Sequence, residues 1–388
     1  MRPGQLTAIL AQVVGLIHIG GYCCYQGTFH LSKFAFIIHP LDISDVARKY
    51  KFTTVLPKAV VEWMLHYIPV KTVSHITGIQ SPTGAHTEGW FIGCPLTADQ
   101  LKNGDPDKCT RKIIQAGRIA EELGADIVGL GAFTSIVGDA GHTVARELNI
   151  GVTTGNSYTV ATALEGALTA VRMLGRDPAH CTATILGATG SVGRVAAKML
   201  SPQVARTVLN ARSAGPVEEL AAQLGADGND AHAETDIDAA LREADIVIAV
   251  TSAVEAVVHP AMLKAGAVVC DVARPRDVSR RVAQQRQDVL VIEGGAVRVP
   301  GQVDFGFNFG FPPGESYACM AETMILALEG KCEDYSLGRD IHIEQVQEIA
   351  QLADKHGFEL AGFRSFERKV TEEGIARVRE AAQAADRP

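Results

Sequence analysis

Thr182-Ala-Thr-Ile-Leu-Gly-Ala-Thr-Gly-Ser-Val-Gly-Arg-Val-Ala-Ala-Lys198 runs from a short apolar strand through a glycine turn directly into a helix. Gly187 permits the tight turn, Gly190 lets a pyrophosphate approach the backbone, and Gly193 lets the helix pack closely on the strand. Thr189, Ser191 and Val192 lie between these glycines, where the free N–H groups of the helix start face an anion. The spacing is G-x-x-G-x-x-G, a variant of the commoner dinucleotide fingerprint. A glycine triplet alone also suits an ordinary strand-to-helix turn, but here both flanks have the required type. A second strand, Arg206-Thr-Val-Leu-Asn-Ala211, follows at about the 20-residue spacing where the ribose-reading residue belongs.

That strand ends in Asn210-Ala211-Arg212-Ser213, with no carboxylate. An Asp or Glu there would hydrogen-bond the ribose 2′-OH and repel a 2′-phosphate. Arg212 instead offers a planar bidentate phosphate partner, with the Ser213 hydroxyl and Asn210 amide beside it. The expected cofactor is therefore NADPH, and Thr251, just past the strand Asp245-Ile-Val-Ile-Ala-Val250, joins the candidate cofactor set.

Working outward, strands near 182, 206, 245, 267 and 289 alternate with helical segments, which predicts a Rossmann-like doubly wound parallel sheet over residues 179–310. Residues 34–178 read as an α/β substrate domain. Phe34-Ala-Phe-Ile-Ile-His39 is a buried strand, 42–49 a short helix and Lys58 to Tyr67 an amphipathic helix. A hairpin is expected around Ser81-Pro-Thr-Gly84, with helices at 112–123 and 158–174 and a glycine-rich strand from Asp126. Residues 311–388 read as a mainly helical C-terminal segment, and residues 1–33 as a poorly ordered or peripheral extension.

The 388 residues are 47% hydrophobic and 21% charged with a net charge of -8, which suits a globular enzyme and argues against a nucleic-acid partner. Eight cysteines at irregular spacings form no C-x-x-C pair, so neither a metal site nor a disulfide framework is indicated, and a cytoplasmic location is expected. Between Arg2 and Lys33 there is no Lys, Arg, Asp or Glu, and residues 6–19 are strongly apolar. Gln12, Gly15 and His18 interrupt that run, which is shorter than the roughly 20 residues of a spanning helix. A peripheral membrane contact is the expectation that remains.

The nucleotide half does not say which carbon is reduced. In Phe311-Pro-Pro-Gly-Glu-Ser-Tyr-Ala-Cys-Met-Ala-Glu322, irregular chain gives way to a helix starting near Ser316, which places Cys319 in the first turn. A helix start lowers a thiol's pKa and prepares a nucleophile, whereas a buried cysteine is simply a small hydrophobe. Cys94 is a second candidate and Cys270 reads as core. The loops Thr153-Thr-Gly-Asn-Ser157 and Phe133-Thr-Ser135 carry hydroxyls, an amide and backbone N–H groups suited to an oxyanion, with Asn156 and Ser157 the chosen pair; either residue also suits a helix cap. Glu322 reads as a solvated helix carboxylate and His259 as a turn residue.

Ile127-Val-Gly-Leu-Gly-Ala-Phe-Thr-Ser-Ile136, Val152-Thr-Thr-Gly-Asn-Ser-Tyr-Thr159, Ile185-Leu-Gly-Ala-Thr-Gly-Ser-Val-Gly193, Ile292-Glu-Gly-Gly-Ala296 and Tyr317-Ala-Cys-Met-Ala-Glu-Thr-Met324 occur in this order. Together they resemble the long-chain acyl-[acyl-carrier-protein] reductases best known from cyanobacteria, over residues 34–366. The resemblance implies NADPH-dependent reduction of a fatty acyl thioester, delivered by acyl-carrier protein or acyl-CoA, to the fatty aldehyde. It also implies that Cys319 takes the acyl group as an enzyme thioester. The chain departs from the family at Asp271-Val-Ala-Arg-Pro-Arg276, where a glycine-rich turn is usual, and in its first 33 residues. A shikimate- or polyol-type NADP-dependent dehydrogenase is the alternative enzyme, although no convincing Lys/Asp pair stands in the N-terminal half. A non-catalytic NADP(H)-binding regulator is the alternative outside catalysis.

Overall fold

The computed structural model describes residues 31–41, 46, 51–366 and 368–385; the expected extension, with Cys23 and Cys24, and the helix expected at 42–49 fall almost wholly outside them. Two six-stranded sheets organise the described chain. Their strands are β1 (Phe34–Ile38), β2 (Lys71–Gln80), β3 (His86–Gly93), β4 (Ile127–Leu130), β5 (Gly151–Thr153), β6 (Thr182–Leu186), β7 (Arg206–Asn210), β8 (Ala231–Glu234), β9 (Ile246–Ala249), β10 (Val268–Asp271), β11 (Leu290–Glu293), β12 (Ala296–Arg298) and β13 (Gly301–Asp304), of which β12 lies outside both sheets. β14 (Glu315–Tyr317) pairs with β12. The helices of eight or more residues are α1 (Lys58–Tyr67), α2 (Pro106–Glu122), α3 (Asn156–Met173), α4 (Ser191–Leu200), α5 (Ala214–Ala226), α6 (Ala318–Glu329), α7 (Ile343–His356) and α8 (Glu372–Ala385).

The second sheet runs β11-β10-β9-β6-β7-β8 with every pair parallel. Counted from β6, this is the 3-2-1-4-5-6 order of a dinucleotide-binding sheet, and its switch point falls between β6 and β9. β9, β10 and β11 are buried at every position, as their Val/Ile-rich runs require when helices cover both faces, and the burial extends to Asp271 and Glu293 at the ends of β10 and β11. The chain is thus an α/β protein with a Rossmann-like doubly wound sheet, and helices follow toward its C-terminus.

The first sheet runs β13-β2-β3-β1-β4-β5. Its β3-β1-β4-β5 part is parallel, β2 joins β3 as the antiparallel hairpin, and β13 returns from beyond the second sheet to pair with the far edge of β2. Two helices link the halves. α3 touches α4, α6, α7 and β10, while α6 lies against β1, β3 and β4. Residues of α6 are buried at Ala318 and from Met320 through Leu328, which makes it a core helix rather than an amphipathic surface one. Among the described residues no helix is long and apolar enough to cross a membrane.

Local chemistry explains where the structure departs from expectation. α2 starts at Pro106 rather than 112, because the Asp105 carboxylate accepts the Asp107 and Lys108 N–H groups and proline suits the first helical position. α3 starts at Asn156 rather than 158, and Gly155 precedes it in the left-handed region with φ 73°. β8, Ala-His-Ala-Glu, is a polar edge strand with no apolar run to announce it. Ser316 belongs to β14, not to a helix start, so α6 begins two residues later, at Ala318.

Candidate active site

The glycine turn closes as its residue types require. Gly187 has φ 82°, its N–H donates to the Asn210 carbonyl, and an added Cβ would meet the Val250 carbonyl oxygen at 2.8 Å. A Cβ on Gly193 would lie 2.2 Å from the Gly187 oxygen, which fixes how closely α4 approaches β6. At Gly190 the nearest obstacle to a Cβ is 3.3 Å away, so this backbone stays open to a ligand, and no side chain caps the start of α4.

A cleft of about 1590 Å³ opens along this turn and continues to the first sheet. Gly187, Thr189, Gly190, Ser191 and Val192 line it, as do Asn210, Arg212 and Thr251 from the ends of β7 and β9. Arg212 is exposed there, free to meet a ligand phosphate, whereas Asn210 is buried and its amide donates to the Glu234 carbonyl at 2.8 Å. Ser213 sits exposed at the N-cap of α5, outside the cleft lining. Thr251 donates its N–H and its hydroxyl to the buried Asp277 carboxylate, which anchors the loop after β9.

The other wall carries Cys319, Asn156 and Thr154. Cys319 is partly exposed to the cleft and lies in the first turn of α6. An added Cβ on Gly155 would fall 2.4 Å from both Cα and Cβ of Cys319, so the start of α3 and the start of α6 meet at this cysteine. The Asn156 amide donates to the Ser191 hydroxyl at 3.5 Å, which links the Cys319 wall to the glycine turn.

The expected low thiol pKa is not what this setting produces. Burial, and then the Glu322 carboxylate, push the Cys319 thiol up to about 12. The Met320 N–H, the Arg274 charge and the residue's own N–H pull the other way without prevailing. Desolvation here outweighs the helix start. Cys94 also lines the cleft but is fully buried, with its thiol pushed up to about 12 by burial, and Cys270 is core as expected.

Glu322 corrects the sequence reading most sharply. It is wholly buried rather than solvated. Its carboxylate accepts from the Thr153 hydroxyl at 2.5 Å, the Tyr158 N–H at 2.7 Å and the Ser336 hydroxyl at 2.8 Å. Burial raises its pKa, and these donors, with the Gly155 N–H, oppose the rise. Ser157 belongs to this network. It is fully buried, bonded to the Ser336 hydroxyl at 2.6 Å, and does not line the cleft. Of the two hydroxyl-bearing loops, Thr134 and Ser135 donate to the Gly131 and Ala132 carbonyls, and Thr154 to that of Ser336. The Asn156 amide is therefore the side-chain donor of these loops that faces the cleft with only a long hydrogen bond.

Sequence reasoning missed Arg274. Its guanidinium lines the cleft, sits 5.1 Å over the Tyr317 ring, and donates to the Ala273 carbonyl at 2.8 Å. Enclosure disfavours its charge, but Tyr317, Asp271 and Glu293 hold its pKa above the ordinary arginine value. The departure at Asp271-Val-Ala-Arg-Pro-Arg276 was the available signal. His39, also on the cleft, has its pKa lowered to about 4 by burial, with one ring nitrogen bonded to the Pro40 carbonyl and the other to the Phe133 N–H.

Comparison with known proteins bears on both halves. The shikimate/quinate 5-dehydrogenase family model matches residues 169–293, the part that carries the glycine turn. The aminotransferase PigE of a Serratia species is 30% identical over 364 residues, covering 88% of this chain; the chain spans only 41% of that protein's length. A long-chain acyl-[acyl-carrier-protein] reductase of Synechococcus elongatus is 29% identical over 330 residues, covering 81% of this chain and 94% of that protein. Among solved structures, L-tryptophan dehydrogenase from Nostoc punctiforme aligns over 92% of this chain and 90% of its own with TM-score 0.41 and 12% identity. The 5-ketofructose reductase of a Gluconobacter strain covers 84% and 99% with TM-score 0.35 and 15% identity.

The chain is thus distantly similar, over most of its length, to a cyanobacterial acyl-[acyl-carrier-protein] reductase, and it contains a shikimate-dehydrogenase-like NAD(P)-binding domain. These similarities support NAD(P)-dependent oxidoreduction. The cofactor is NADPH: the open Gly190 backbone fits its pyrophosphate, and the carboxylate-free end of β7 with exposed Arg212 fits its 2′-phosphate.

Proposed function

We propose that the protein reduces a long-chain fatty acyl thioester, carried by acyl-carrier protein or coenzyme A, to the fatty aldehyde through an acyl group held on Cys319. The observation that carries this reading is that Cys319 opens on the same cleft as the glycine turn, where two helix starts and Arg274 converge. Residues 34–178 would supply the substrate wall, 179–310 the cofactor site, and 311–388 the nucleophile. The relative from Synechococcus elongatus, an acyl-[acyl-carrier-protein] reductase by name, supports the same substrate class.

An apolar wall suits the acyl chain. Phe309, Phe311 and Tyr317 line the cleft, Phe309 and Phe311 tilted with ring centroids 5.7 Å apart and Phe311 and Tyr317 edge-on at 4.4 Å, so aromatic rings continue up to the residue two before Cys319. In the first step the Cys319 sulfur bonds to the acyl carbon, the carbon–sulfur bond to the donor breaks, and the Cys319 proton ends on the departing donor thiol. Asn156 and Arg274 face the cleft where the carbonyl oxygen gains charge. NADPH, when bound, supplies the hydride that reduces this acyl carbon. As the aldehyde leaves, the Cys319 sulfur keeps the bonding electrons and takes up a proton.

Incubation with NADPH and either palmitoyl-carrier protein or palmitoyl-CoA is expected to give hexadecanal and oxidised cofactor in equal amounts. NADPH oxidation without aldehyde, or no reaction with either donor, would contradict the reading. Arg212→Ala is expected to weaken NADPH binding roughly tenfold or more, since a charge-assisted bond contributes about 1.5–3 kcal/mol, and to leave NADH binding unchanged. Fluorescence titration with the two cofactors checks this. A ketone-reducing dehydrogenase is the second reading, favoured by the family match at residues 169–293, and it predicts turnover with no acyl-enzyme.

A further inference from the structure

The buried carboxylate of α6 has no place in the chemistry just described, yet it is the most heavily bonded side chain beside Cys319. It stands one helical turn after that cysteine and reaches across to the first turn of α3, where the Tyr158 N–H has no partner within its own helix. It also holds the Thr153 hydroxyl at the end of β5, and the Ser336 hydroxyl, to which Ser157 is bonded in turn. The Ser336 hydroxyl lies within hydrogen-bond distance of both the Glu322 carboxylate, at 2.8 Å, and the Ser157 hydroxyl, at 2.6 Å, and so bridges the two. Three donors converge on an acceptor that is wholly buried, and the Gly155 N–H donates to the Thr153 hydroxyl beside it. Between these anchors lies Gly155, whose backbone is the surface pressed against Cys319.

From this arrangement we infer that Glu322 is the positioning residue of the Cys319 site: it ties the start of α3 to α6, and so fixes the Gly155–Asn156 backbone against the nucleophile. The inference rests on the reading of Cys319 as the acyl-bearing residue. A negative charge beside a thiol also disfavours its ionisation, and Glu322 does so here. Geometry and charge therefore act in opposite directions, which gives the role a distinctive signature. The charged groups acting on Cys319 are Glu322 and Arg274, and Tyr335 is the other titratable group that feels Glu322.

In Glu322→Gln an amide NH₂ replaces one acceptor oxygen, so either the Tyr158 N–H or the Thr153 and Ser336 hydroxyls lose their acceptor while the shape is kept. The expected result has two parts. Iodoacetamide alkylation of Cys319 shifts to lower pH, because the charge is gone, while acylation of Cys319 by palmitoyl-CoA, followed by intact-protein mass spectrometry, slows about 10- to 100-fold, because the loop is misplaced. Ser336→Ala keeps the charge and removes one anchor, so it slows acylation and leaves the alkylation profile where it was. A folded Glu322→Gln that acylates at the wild-type rate, or that keeps the wild-type alkylation profile, overturns the inference. If that variant does not fold, wild-type acylation by Ser336→Ala overturns it. A wild type that forms no adduct sinks the acyl-enzyme reading instead, and the alkylation profiles still decide whether Glu322 governs the site.

Discussion

Cys319→Ser is expected to lower aldehyde formation by roughly 10³-fold or more, as loss of a covalent nucleophile does, while NADPH binding measured by fluorescence stays at the wild-type level. The two halves of this expectation come from different walls of one cleft: Cys319 sits at the start of α6, and the glycine turn at the start of α4. A serine hydroxyl fits the same space but ionises even less readily than the thiol. The thiol is itself protonated at neutral pH, since burial and Glu322 push it up to about 12. Its thiolate fraction therefore rises about tenfold per pH unit between pH 7 and 9.5. Single-turnover acylation should follow that slope, and a flat profile would show that the sulfur reacts without this ionisation.

Gly155→Ala is expected to impair the protein nearly as severely, through a different cause. Gly155 has φ 73°, a backbone region that costs an L-residue about 1–2 kcal/mol. The new methyl would also overlap Cα and Cβ of Cys319 at 2.4 Å, and both belong to the backbone frame of α6 rather than to a yielding side-chain tip. Overpacking of this kind costs about 1–3 kcal/mol more, or else forces the two helix starts apart. The expected outcome is a fall of several degrees in melting temperature together with loss of acyl transfer, while the parallel sheet keeps its affinity for NADPH. An active Gly155→Ala of unchanged stability would mean that the two helix starts do not need this contact.

The doubly wound sheet was legible because its information is local. The run from Thr182 to Lys198 contains strand, turn and helix in consecutive residues, and β9, β10 and β11 are apolar runs, the last two closing on Asp271 and Glu293, that signal burial on both faces. The glycine turn could be read for the same reason, because its shape rests on backbone conformation alone, and Arg212 stands exposed at the end of β7 as its charge requires. The Cys319 wall was legible only in part. The position of Cys319 in the first turn of a helix could be read, but its desolvation could not, because α3 and the first sheet enclose it from over a hundred residues away.

Glu322 shows the limit more clearly. A glutamate on a helix reads as solvated, and nothing near it in sequence reveals that Thr153, Tyr158 and Ser336 will surround it. Ser157 was misplaced for the same reason, since a hydroxyl at a helix start suits a cap, a catalytic donor and a buried bridge equally well. Arg274 escaped notice because its partner Tyr317 lies 43 residues on. Each of these side chains is defined by long-range packing, which no local spacing encodes.

The most direct test is intact-protein mass spectrometry of the wild type after exposure to palmitoyl-CoA or palmitoyl-carrier protein without NADPH. A single palmitoyl adduct that maps to Cys319, and that disappears with release of hexadecanal when NADPH is added, is the expected result. Aldehyde formation by a protein that never carries the adduct, or an adduct on Cys319 that NADPH does not discharge, would contradict it.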